Sequence, residues 1–117
     1  MPTPRQPAVS EKQEQAAIVK LLRSVGGWVY VLGTRRRKGD HPGTMQTPGL
    51  PDLFAFVPNR HPGTERIALW VEVKTPTGRP SEAQSDFEHG CKVSGTHHVM
   101  GGCDDVAQWL KWNGLLR

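Results

Sequence analysis

The sequence predicts an α/β fold, helices sandwiching a mixed central β-sheet, on three observations. Two capping boxes, Ser10-Glu11-Lys12-Gln13 and Ser81-Glu82-Ala83-Gln84, open stretches with helical character. Four short runs rich in β-branched and aromatic residues lie between Gly and Pro clusters. The elements follow in the order α-β-β-β-α-β-α without an internal repeat. At 117 residues the chain makes one domain with a single core, so any active site must lie on that one fold.

Residues 1–9 hold three prolines and little apolar content, which predicts a flexible arm ahead of a single domain over residues 10–117. Ala17, Ile18, Leu21, Leu22 and Val25 then recur at helical spacing until Gly26-Gly27 stops the run. Residues 28–32 read as a short strand. Residues 33–51, rich in Gly, Pro, Thr and basic side chains, read as a long loop of the kind that often carries function. Residues 53–57 and 67–74 read as strands joined in a hairpin, since Asn59, Pro62 and Gly63 lie between them. The second capping box opens a helix to about Cys91, residues 97–100 form a further strand, and Asp104 is placed to cap a last helix bearing Val106, Ala107, Trp109 and Leu110.

Charged residues at 22% and hydrophobic ones at 36% are ordinary for a soluble domain, and no apolar run is long enough to span a bilayer. No signal peptide opens the sequence, and two cysteines, Cys91 and Cys103, fit reduced thiols in a cytoplasm, bacterial or phage-infected. A net charge of +4 leans toward a polyanion. Arg35, Arg36, Arg37 and Lys38 are contiguous between Gly33 and Gly39, an arrangement that can reach phosphates or remain a solvated run.

Pro51 biases Leu50 toward extended geometry and places Asp52 where a turn becomes a strand. In Trp70-Val71-Glu72-Val73-Lys74, alternation sends Glu72 and Lys74 to one face and the valines to the other. A buried charge on such a strand must pair, reach water or hold a metal. The hairpin brings Asp52 and Glu72 to neighbouring strand ends with Lys74 beside them. Two carboxylates and a backbone carbonyl, that of Val73, suit Mg2+ while leaving positions for water and a phosphate oxygen. An ion there activates water and stabilises charge on phosphorus, and a lysine shares that charge.

Gly49-Leu50-Pro51-Asp52 followed by Glu72-Val73-Lys74 resembles the signature of the PD-(D/E)XK nuclease superfamily. Residues 11–15 of the first helix, residues 78–84 after the lysine, and the closing helix are similar to the VRR-NUC family, a resemblance that spans about residues 10 to 113. It implies a restriction-endonuclease-like sandwich and a magnesium- or manganese-dependent endonuclease. That family includes small stand-alone phage and bacterial proteins and the nuclease domain of a eukaryotic DNA repair enzyme. Asp52 and Glu72 then correspond to metal ligands, Lys74 to the catalytic lysine and Gln84 to the glutamine after the motif. Glu11 matches the first-helix acid, with Glu14 three residues on along nearly the same helical face. Gln84 is equally the closing member of its capping box. Pro80 and the long basic loop depart from the family pattern.

The resemblance further implies a structure-selective enzyme of the Holliday-junction resolvase type, and symmetric incision of a junction requires two sites, hence a homodimer on branched DNA. The alternatives are a nuclease for linear, flap or single-stranded DNA, and a DNA-binding module without catalysis. His89, Cys91, His97, His98 and Cys103 raise the separate idea of a zinc site, although no Cys-x-x-Cys or His-x-x-x-His spacing occurs. Trp109, Trp112, Leu115 and Leu116 form a C-terminal apolar cluster that suits a core or a subunit contact.

Overall fold

The computed structural model of the chain describes residues 9–32 and 47–117. Their elements are α1 (Glu11–Ser24), β1 (Trp28–Val31), β2 (Leu53–Pro58), β3 (Arg66–Val73), α2 (Glu82–Ser94), β4 (His97–Gly101) and α3 (Cys103–Trp112). The order is the expected one. The N-terminal arm, apart from Val9, and the basic run Arg35, Arg36, Arg37 and Lys38 lie outside the described residues.

Both capping boxes form. Ser10 Oγ accepts the Gln13 N–H at 3.1 Å while the Gln13 side chain accepts the Ser10 N–H at 3.0 Å, which satisfies two donors that a helix start leaves open. The sheet runs β1-β2-β3-β4, antiparallel across the first two pairings and parallel between β3 and β4. A parallel pair needs a crossover, and α2 supplies it. The core lies between the sheet and the α1 and α3 helices, where Ile18, Leu22, Leu69, Val71, Val106 and Leu110 are fully buried. On the opposite face α2 places the Phe87 ring 5.2 Å from that of Trp70.

Three details differ from expectation. Helix α2 runs through Gly90 and past Cys91 to Ser94, and ends where Gly95 takes the left-handed conformation at φ 70°. Helix α3 is capped at Gly102, not at Asp104; glycine has no capping side chain, and Asp105 reaches back to accept the Gly102 N–H at 2.9 Å. Strand β3 ends at Val73, although the Lys74 N–H still donates to the Gly101 carbonyl at 2.9 Å. The C-terminal cluster divides: Trp109 is buried, Leu115 and Leu116 pack partly on the core, and Trp112 is 75% exposed. No helix among the described residues is long and apolar enough to cross a membrane.

Candidate active site

Register creates the site. Leu53 pairs with Val71 across β2 and β3, so Asp52 and Glu72, one residue further along each strand, meet on the face away from the core. Upstream, Gly49 turns the chain at φ 89°, and a Cβ there would run into the Ala83 backbone, so only glycine lets this turn pack on the first turn of α2. Asp52 Oδ2 accepts the Val73 N–H at 2.9 Å, and the Leu32 N–H donates to the Asp52 carbonyl at 2.8 Å. The aspartate is thereby fixed by backbone from both neighbouring strands.

Glu72 is 2% exposed and is the buried charged residue among those described. Burial and a hydrogen bond with the Asp52 carboxylate push its pKa from 4.5 up to about 8, against the opposing pull of Lys74. At neutral pH Glu72 therefore holds its proton. Even so, Glu72 Oε1 has no hydrogen-bond partner, an orphaned buried oxygen of the kind that calls for an explanation. Paired hard oxygens, one of them unsatisfied, fit a divalent cation, which would replace the proton on Glu72. The described contact of Val73 at this site is its N–H on Asp52.

Lys74 lines a cavity of about 210 Å³ together with Glu14, Thr75, Gly102, Asp104 and Asp105. Glu14 Oε2 accepts the Cys103 N–H at 2.7 Å, so α1 is tied to the start of α3 beside the lysine. Glu11 is exposed in the first turn of α1 and does not line this cavity, which makes Glu14 the first-helix acid that the fold brings to Lys74. The sequence signal for Glu14 was its place on the same helical face as Glu11. Gln84 Oε1 accepts the Ser81 N–H at 2.9 Å, which gives its carbonyl oxygen to the cap.

The histidines gather elsewhere. A cavity of about 590 Å³ at the β4 edge is lined by Glu88, His89, Lys92, His97, His98 and Trp109. His97 turns toward Trp109 and His98 toward Phe87, on opposite faces as strand geometry requires. Among the described residues no three His, Cys, Asp or Glu side chains are grouped to hold a metal, so the five residues considered for zinc do not assemble.

No family model matches the sequence. No curated protein matches it either. A solved VRR_NUC domain is similar in structure, with a TM-score of 0.62 and 21% identity over 86% of this chain and 94% of that one. The chain thus has the fold of a VRR_NUC domain, an α/β sandwich in which the Asp52 and Glu72 carboxylates meet on neighbouring strands.

Proposed function

We propose that this chain is a metal-dependent endonuclease that hydrolyses phosphodiester bonds in DNA, acting as a homodimer on branched substrates such as four-way junctions. The observation that carries the reading is the Asp52–Glu72 pair, two carboxylates on adjacent strands with a raised glutamate pKa and an unpartnered buried oxygen. The shared fold with a VRR_NUC domain supports it, as does the sequence resemblance at residues 49–52 and 72–74.

Asp52 and Glu72 would hold Mg2+ or Mn2+. Such an ion supplies Lewis-acid polarisation of a phosphoryl oxygen and acidifies water. The chain's own residues do the rest. The Val73 N–H keeps the Asp52 carboxylate in one orientation. Glu72 would give up its proton on holding such an ion, so that binding would be favoured by rising pH. Lys74, whose charge already acts on Glu72, offsets negative charge that develops on a phosphate brought to the pair.

The test is cleavage of linear, nicked, flapped and four-way DNA with magnesium, manganese or chelator, beside Glu72→Gln. Metal-dependent incision lost in the variant is expected, with four-way DNA cut at symmetry-related positions by a dimer. Mixed dimers carrying one Glu72→Gln subunit should nick a junction without resolving it. A monomer that cuts linear duplex as readily as junctions would overturn the junction reading, and cleavage undiminished in Glu72→Gln would overturn the site.

A further inference from the structure

The two faces of the sheet are built from different chemistry. In β1, β2 and β3 every residue facing α1 and α3 is aliphatic. On the opposite face every apolar side chain larger than proline is a ring: Trp28, Tyr30, Phe54, Phe56 and Trp70. The rings form a continuous ladder, with centroids 6.5 Å apart for Trp28 and Phe56, 6.0 Å for Tyr30 and Phe56, 4.9 Å for Phe54 and Phe56, and 4.6 Å for Phe54 and Trp70. Helix α2 meets the ladder at its Trp70 end through Phe87. At the other end Trp28 and Tyr30 are 55% and 49% exposed.

These exposed rings are held in place. The Arg66 guanidinium lies 3.7 Å from the centroid of the Trp28 ring and is itself fixed by the carbonyls of Gly26 and Phe56, at 2.9 and 3.1 Å. Tyr30 stands edge-on to Phe56 at 84°. Register also ties the ladder to the carboxylates. Tyr30, Phe54 and Trp70 lie in one row across the strands. Asp52 and Glu72 lie in the next row on the same face, two residues or roughly 7 Å along.

We propose that this ladder is a stacking platform for unpaired bases, receiving a single-stranded stretch of DNA and leading it to the Asp52–Glu72 pair; the inference rests on the nuclease reading for its substrate. Pre-oriented rings standing steeply to one another, with a fixed cation over one face of Trp28, match a single strand, whose bases present π-faces and whose backbone presents phosphates. Continuity with the carboxylate row favours this occupant over a second copy of the chain, for which an aliphatic or mixed surface would serve as well.

Binding measured in chelator separates the platform from cleavage. A short fluorescent single strand should bind the full chain more tightly than an abasic strand of the same length. Trp28→Leu with Tyr30→Leu should weaken single-strand binding by about tenfold for each ring that stacks, and should leave the abasic strand bound as before. Equal binding of normal and abasic strands by the wild-type protein, a result that needs no variant, would overturn the platform. So would single-strand affinity unchanged in the folded double variant, or a dimer that the double variant dissociates, which would assign the face to a contact between copies. Ring-dependent binding by a protein that cuts no DNA would uphold the platform and overturn the nuclease reading alone; cleavage with ring-independent binding would do the reverse.

Discussion

Asp52 and Glu72 sit side by side at the ends of paired strands, the first anchored by the Val73 N–H at 2.9 Å and the second buried with one oxygen unpartnered. Glu72 titrates near 4.5 in the unfolded chain and at about 8 in the fold. Between those values the folded state keeps a proton that the unfolded state has lost. Stability is therefore full below about 4.5, falls as pH rises, and levels off above about 8. In metal-free buffer the melting temperature should decline across that window, with Glu72 contributing at most on the order of a few kcal/mol. Glu72→Gln should flatten the decline. Added magnesium at the alkaline end should raise the wild-type Tm and leave that of the variant unmoved, and a wild-type profile as flat as the variant's would count against a proton held on Glu72.

Local signals made much of this legible in the sequence. The capping boxes at Ser10 and Ser81 act over three residues, and both form. The meeting of Asp52 with Glu72 was legible because a short hairpin leaves little freedom of register. What escaped depends on distant contacts. Asp104 has the better capping side chain, yet the helix starts from Gly102 because Asp105 reaches back to it. Glu11 and Glu14 share a helical face, and Glu14 is distinguished by the cavity it lines with Lys74 and by the Cys103 N–H, 89 residues away in sequence. The separation of rings from aliphatics was present in the alternation of β1 to β3, but its meaning emerges only when the strands are placed in register.

On the nuclease reading, Glu72→Gln removes a metal ligand with little change of shape. Cleavage should fall to background while DNA affinity stays within a few-fold, as measured by single-turnover cleavage and by binding in chelator. Lys74→Ala should lower the maximal rate far more than it weakens binding, since the ammonium acts on charge that grows in the transition state. A Lys74→Ala protein that cuts normally but binds weakly would make Lys74 a positioning residue.

Glu14 and Glu11 should differ in stability as well as in activity. Glu14→Ala deletes a charge-assisted bond to the Cys103 N–H at the positive end of α3, at a cost of about 1–2 kcal/mol in urea unfolding. Glu11 is exposed, and Glu11→Ala should shift stability by no more than about 0.5 kcal/mol. Of the two, only the Glu14 change should also slow cleavage, because only Glu14 lines the cavity with Lys74. Equal effects at both positions would remove that distinction.

Arg35, Arg36, Arg37 and Lys38 carry four of the fifteen basic residues in a stretch bounded by glycines. If they engage phosphates, each phosphate neutralised on a duplex releases condensed counterions, and the logarithm of the binding constant changes with the logarithm of salt by about 0.9 per phosphate. Replacing all four with glutamine should therefore flatten that dependence in proportion to the number of phosphates the run neutralises. The difference in affinity from the wild-type protein should vanish at high salt, where the electrostatic contribution is screened. Glutamine keeps hydrogen-bonding capacity and much of the side-chain length, so a flatter slope reports charge and not side-chain size. A slope identical to that of the wild-type protein would mean that the run remains solvated when DNA binds, and that the attraction for phosphate must come from other basic residues, with Arg66 beside the ring ladder and Lys74 beside the carboxylates the first to neutralise next.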